Sequence, residues 1–148
     1  MIKKILIVDD EENILNFLYR LLRRKYKVLL SKSAKEAIST VKKEKIDLVI
    51  TDLKMPEIDG IELVKNIRRT DSKIGVIVMT GYGNIESYLN SKDLGTFEYL
   101  NKPFDNEILL RIIDTMLTQT YSISKELHPL KGRLLSQHDT SNHTCTVG

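Results

Sequence analysis

Apolar runs rich in β-branched residues recur along this chain at Ile5 to Val8, Ile46 to Thr51 and Ile74 to Thr80, with a shorter and less apolar one at Phe97 to Leu100. Runs of this kind suit strands covered on both faces, the environment of a parallel sheet. Lys27 to Leu30 is a weaker fifth candidate. Between the runs, apolar residues fall at helical spacing: Ile14, Leu15, Leu18, Leu21 and Leu22, then Ala34, Ala37, Ile38 and Val41, then Leu63, Val64 and Ile67. Each set puts one apolar stripe on a helix. Ile108, Leu109, Ile112, Ile113 and Met116 predict a fifth helix from about Asp105 to Thr118, whereas Asn84 to Asp93, with Asn84, Ser87, Asn90 and Ser91, is a poor helix former and the expected mobile element. Five strand-helix repeats predict an α/β fold: a doubly wound, five-stranded parallel sheet of order 2-1-3-4-5 with right-handed crossovers. A ligand crevice is then expected at the carboxyl ends of strands 1 and 3.

Size and charge agree with one such domain. The chain has 148 residues, 41% of them hydrophobic, and 23 basic against 20 acidic side chains leave a formal charge of +3. Such a mixed surface does not by itself imply a polyanion partner. The basic group Arg20, Arg23, Arg24, Lys25 and Lys27 is accounted for by the dipole at a helix C-terminus. One cysteine, Cys145, cannot form an internal disulfide. No apolar run reaches a membrane span, and Ile5 to Val8 is too short for a signal-peptide core. A cytoplasmic protein with no membrane contact and no direct nucleic-acid binding is expected.

The expected strand ends carry acids. Strand 1 runs into Asp9-Asp10-Glu11-Glu12 and strand 3 ends at Thr51-Asp52. Carboxylates gathered in one crevice repel unless a cation sits among them, and oxygen ligands together with a phosphoryl partner suit Mg²⁺. Strand 4 ends at Thr80-Gly81 and strand 5 at Asn101-Lys102-Pro103, adding a hydroxyl and an ammonium to the same rim. A dinucleotide-binding fold would need a Gly-rich loop after strand 1 to receive phosphate, and the four acids there oppose it. A phosphatase of the haloacid dehalogenase type would need a second Asp two positions after Asp52, where Lys54 stands. Solvated strand-end caps would explain one Asp but not five aligned polar strand ends.

Asp9-Asp10, Asp52, Met55-Pro56-Glu57-Ile58-Asp59-Gly60, Thr80-Gly81 and Tyr99-Leu100-Asn101-Lys102-Pro103-Phe104 together resemble the receiver domain of two-component response regulators, over about Ile2 to Thr118. The resemblance implies a phosphorylation-activated switch and phosphoprotein, not an enzyme beyond its own phosphoryl transfer and dephosphorylation. By the same resemblance, Asp52 is the phosphoacceptor, charged by a sensor histidine kinase or phosphotransfer protein within a phosphorelay. Asp10, Asp52 and the Lys54 backbone carbonyl bind Mg²⁺, or Mn²⁺ in its place, with Asp9 acting mainly through water. Lys102 pairs with the phosphoryl oxygens and precedes a cis bond to Pro103. Thr80 and Tyr99 form the switch, and Lys54 and Tyr82 modulate the lifetime of the phosphoryl group. Output is a change in the surface of the fourth helix, fifth strand and fifth helix, which controls an effector protein, an output domain or a homodimer. In that fourth helix, Tyr88 and the polar stretch Asn90-Ser91-Lys92-Asp93 depart from the small residues common in related receivers. The alternative is a phosphorylation-independent interaction module with a receiver-like fold.

Residues 1–118 are thus expected to be the receiver domain and 119–148 a linker or tail, flexible or partly helical. The tail holds four Ser, four Thr, all three His and the cysteine. A short helix from Ser124 to Leu135 is interrupted by Pro129 and weakened by Gly132. His138, His143 and Cys145 lack a fourth metal ligand, and Glu126-Leu127-His128-Pro129-Leu130 echoes a phosphoacceptor-histidine helix without the helical bundle such a helix needs. Two organisations stay open: a stand-alone receiver, or a receiver and linker from a longer regulator.

Overall fold

The computed structural model describes residues 2–55, 58–81, 89, 94, 95 and 97–118. Five strands, β1 (Lys4–Val8), β2 (Lys27–Ser31), β3 (Leu48–Asp52), β4 (Gly75–Thr80) and β5 (Glu98–Asn101), alternate with helices α1 (Glu12–Leu22), α2 (Ala34–Lys43) and α3 (Gly60–Thr70), and α4 (Asn106–Thr118) follows β5. The sheet order is β2-β1-β3-β4-β5 and every pairing is parallel, as the strand-helix alternation predicts. The weak candidate at Lys27 is a true strand, at the sheet edge beside β1.

Alternation along β1 divides the core. Ile5 and Ile7 face the layer built from Leu15, Leu18 and Leu22 of α1 and Leu109, Ile112 and Ile113 of α4, while Leu6 and Val8 face Ala34, Ala37 and Val41 of α2 and Leu63 and Ile67 of α3. Both faces of the strand are therefore covered, which is why its sequence shows no polar alternation. β3 starts two residues later than the apolar pattern at Ile46 suggests. Asp47 leads into it: its Oδ2 accepts the Lys4 amide at 2.8 Å and its own amide donates to the Lys4 carbonyl at 3.0 Å, which fastens the entry of β3 to the start of β1. Capping side chains set the helix starts. The Ser33 side chain accepts the Glu36 amide at 3.1 Å, Asp59 Oδ1 accepts that of Glu62 at 2.9 Å, and Asp105 Oδ1 accepts those of Glu107 and Ile108 at 2.8 and 3.2 Å.

The expected helix Asn84 to Asp93 lies outside the described residues apart from Leu89, which is buried. Tyr82 and residues 119–148 lie outside them as well. No described helix is long and apolar enough to cross a membrane.

Candidate functional site

Parallel strands with helices returning on both faces bring Asp9, Asp52, Thr80 and Lys102 to one edge, each at or one residue beyond a strand end. Register completes the assembly. Thr80 is paired with Asn101 across β4 and β5, and the Lys102 amide donates to the Thr80 carbonyl at 2.6 Å. The Lys102–Pro103 bond is cis.

Asp9 is fully buried, and its two oxygens have separate partners. Oδ1 accepts the Glu11 amide at 2.8 Å, and Oδ2 lies 3.2 Å from Lys102 Nζ. Asp52 is divided in the same way: Oδ1 accepts the Leu53 amide at 2.7 Å and the Lys54 amide at 3.4 Å, while Oδ2 stands 3.3 Å from Lys102 Nζ. The ammonium thus bridges two carboxylates. Thr51, buried behind Asp52, donates its hydroxyl to the Asp52 carbonyl at 2.8 Å.

Burial pushes the Asp9 carboxyl above its ordinary value of 3.8 and Asp52 adds to that, against the opposing pull of the Glu11 amide and Lys102. For Lys102, burial pulls downward, but the charges of Asp9 and Asp52 and the hydrogen bonds to them outweigh it, and the net direction is up. These directions look contradictory for two members of one ion pair. They reconcile through solvent: the Lys102 side chain keeps 21% of its exposure and the Asp9 side chain none, so desolvation dominates only for the acid.

Asp10 is exposed, and one carboxylate oxygen from each of Asp9, Asp10 and Asp52 lies within 4.8 Å of the others. An octahedral cation with ligands at about 2.1 Å places opposite oxygens about 4.2 Å apart. This donor set is all oxygen and gathered within the reach of one such cation, so it fits Mg²⁺. A cavity of about 560 Å³ opens in front, lined by Asp10, Glu11, Asp52, Lys54, Met55, Gly81 and Lys102.

Of the residues singled out in the sequence, Asp9, Asp10, Asp52 and Lys102 meet directly, and Lys54 lines the cavity. Thr80 and Tyr99 are buried just behind the rim on the adjacent strands β4 and β5. Sequence reasoning gave no role to Gly60. A β-carbon there would stand 2.5 Å from the Asp52 carbonyl oxygen and 2.8 Å from the Leu53 α-carbon, so only glycine lets the start of α3 approach the backbone that carries Asp52. The Asp59-Gly60 pair, a cap followed by the smallest residue, was the available signal. Met55, an apolar wall of a mostly charged cavity, opens the run 55–60 singled out in the sequence but was given no role there.

Comparison with known proteins covers this same ground. The model of the response regulator receiver domain matches residues 5–114. Sporulation initiation phosphotransferase F of Bacillus subtilis (strain 168) is 40% identical over 106 residues, spanning 71% of this chain and 86% of that protein. The transcriptional regulatory protein GlrR of Escherichia coli (strain K12) is 34% identical over 142 residues, or 90% of this chain, yet the chain spans only 32% of that regulator's length. Among solved structures, a response regulator receiver domain protein (CheY-like) from Methanospirillum hungatei JF-1 superposes with a TM-score of 0.73 at 29% identity, covering 80% of this chain and 95% of that one. The matched span takes in all five strands except Lys4 at the start of β1, and every residue of the acidic crevice, and the chain belongs to the response regulator receiver domain family.

Proposed function

We propose that the chain is a phosphorylation-activated signalling switch in which Asp52 accepts the phosphoryl group. The observation that carries this reading is the asymmetric setting of the Asp52 carboxylate, with Oδ1 held by the Leu53 amide at 2.7 Å and Oδ2 facing Lys102 at 3.3 Å beside an open cavity. An oriented, charged oxygen reachable from solvent is what phosphoryl transfer asks of an acceptor, because the reaction is mostly positioning and charge neutralisation.

The donor is a phosphohistidine on a sensor histidine kinase or phosphotransfer protein. One bond forms, between an Asp52 carboxylate oxygen and phosphorus. One breaks, between phosphorus and the donor's imidazole nitrogen, which keeps the electron pair, and a proton carried on the other ring nitrogen of the donor leaves it as neutral imidazole. Hydrolysis later reverses the state, with a water oxygen attacking phosphorus and Asp52 leaving as carboxylate. Asp10, Asp52 and the Lys54 carbonyl would hold Mg²⁺, or Mn²⁺ in its place, directly, with Asp9 acting through water. Such an ion supplies positive charge to the acidic cluster and to the phosphoryl oxygens.

The chain's own residues do the rest. Lys102 exchanges part of its contact with Asp9 and Asp52 for the phosphoryl oxygens. Thr80 turns its hydroxyl to the same group, and its movement favours the buried position of Tyr99 over an outward one. The surface made by residues 84–93, β5 and α4 shifts in consequence between two arrangements, and that surface engages an effector protein, an output domain or a second copy. Lys54 and Tyr82 set how long the group survives. Residues 1–118 suffice for this cycle, which runs in the cytoplasm, and 119–148 serve as a linker or tail.

Incubation with acetyl phosphate and Mg²⁺, followed by intact-mass measurement, tests the reading. Gain of one phosphoryl group by the parent, absent in Asp52→Ala and absent without the metal, is the expected result. An unmodified parent that also fails to respond to beryllofluoride would overturn it and leave the phosphorylation-independent interaction module.

A further inference from the structure

Exposed charge among the described residues is largely sorted along the strand axis, with Lys32, Lys35 and Lys54 as cations at the acidic end and Glu44 and Asp71 as acids at the basic one. Where strands end and helices begin, Asp10, Glu11, Glu12, Asp59, Glu62 and Glu107 are exposed. At the opposite end, Lys3, Arg24, Lys27, Lys42, Lys43 and Lys45 are exposed at the starts of β1 and β2 and the ends of α1 and α2. Strand pairing draws these six together. The Lys27 amide donates to the Lys3 carbonyl at 2.9 Å and the Lys4 amide to Asp47 Oδ2 at 2.8 Å, so the α1–β2 and α2–β3 turns flank the start of β1.

Nearby acids are already engaged. Glu44 pairs with Lys4 at 3.3 Å and Asp47 caps the Lys4 amide, and among the described residues none of the six forms an ion pair. The helix dipole accounts for Lys42 and Lys43 in the last turn of α2. It does not extend to Lys3, which precedes β1, or, against the reading from sequence, to Lys27, which already begins β2 five residues past the end of α1. Beside Lys3, Ile2 is 72% exposed, more than any other large hydrophobic residue described.

We infer that this basic pole docks peripherally on an anionic lipid surface. Lysines around an exposed aliphatic side chain combine electrostatic attraction to acidic headgroups with a small apolar insertion. A nucleic-acid partner fits less well: although Arg20, Arg23 and Arg24 are exposed near this pole, the nearby exposed ring of Tyr19 already carries the Arg23 guanidinium 5.7 Å from its centroid and is no open stacking face. The contact is with the headgroup surface and not a span. Such docking runs against the expectation, drawn from the sequence, of a chain without membrane contact. Docking by this pole turns the acidic crevice away from the like-charged surface and leaves Asp52 open to solvent.

Co-sedimentation of the full chain with vesicles tests the inference. Binding to equimolar phosphatidylcholine and phosphatidylglycerol, absent with phosphatidylcholine alone and abolished by high salt, is expected. Lys42→Glu with Lys45→Glu should lower the bound fraction about tenfold or more, and Ile2→Ser should weaken it by a few fold, with thermal melting establishing that each variant is folded. Vesicle-bound protein should still take phosphate from acetyl phosphate as fast as free protein. Equal retention by neutral vesicles, no retention by acidic ones, or retention unchanged by the charge reversal would overturn the inference. A DNA duplex that captures the chain where acidic vesicles do not would overturn it too, and assign the pole to nucleic acid.

Discussion

Gly60 and Asp52 are in backbone contact: the first residue of α3 packs so tightly on the last residue of β3 that an added β-carbon would lie 2.5 Å from the Asp52 carbonyl oxygen. The obstructing atoms are main chain, so no rotamer change relieves them. Gly60→Ala should therefore lower stability by about 1–3 kcal/mol and slow phosphorylation by displacing the Asp52 backbone. Urea titration reads the first effect and acetyl phosphate kinetics the second. A midpoint equal to the parent's would refute the contact.

Lys102 is the cation that two inward carboxylates share. Its removal in Lys102→Ala leaves Asp9 buried and without its ammonium, which should cost the metal-free protein about 3 kcal/mol. The uncompensated cluster should then respond more strongly to Mg²⁺, whose binding stabilises the folded state by mass action. Melting with and without Mg²⁺ should give a larger increment in the variant than in the parent. Equal increments would mean that Lys102 does not offset these acids.

Asp9 makes stability depend on pH with a definite sign. Burial raises its carboxyl above the ordinary 3.8, so between the unfolded and folded values the folded chain binds the extra proton. The contribution of this group is therefore fully present below the unfolded value and lost as pH rises through the folded one. In metal-free protein, Asp9→Asn keeps an oxygen for the Glu11 amide and removes the buried charge. It should be more stable than the parent at neutral pH, by on the order of 1 kcal/mol, and the gap should close toward pH 3.8. Urea midpoints across that range decide the sign.

Arg68 ties α3 to two connections at once. Its Nε donates to the Leu94 carbonyl at 3.0 Å and its Nη1 to the Ser72 carbonyl at 3.1 Å, with the Ile74 carbonyl also in reach of Nη1. Arg68→Lys loses the planar fork while keeping the charge. A loss of about 1–3 kcal/mol is expected, with faster amide hydrogen exchange at the start of β4. Unchanged exchange there would sink the proposed tether.

Much of this was legible before any coordinates. Strands buried on both faces announce themselves by unbroken apolar runs, and once their order is inferred, Asp9, Asp52, Thr80 and Lys102 must fall on one edge. Other features depend on tertiary contact and left no such trace. Asp47 looks like an ordinary polar break before a strand until its carboxylate is found on the Lys4 amide. Gly60 looks like a helix-start residue until the Asp52 carbonyl is seen behind it. The opposite pKa directions of Asp9 and Lys102 follow from unequal solvent access, which no spacing encodes. Lys3, Lys27 and Lys45 are dispersed in sequence and converge only through strand pairing.

The carboxylates and ammonium of the crevice come from chain positions 9, 10, 52 and 102, and the last arrives at the end of β5, an edge strand of four residues. A polypeptide emerging during synthesis carries Asp52 long before it carries Lys102, and it holds the acids without their counter-charge until the fifth strand adds on. The phosphate uptake proposed for Asp52 therefore depends on finished folding, because the counter-charge reaches the acids only when β5 closes the sheet.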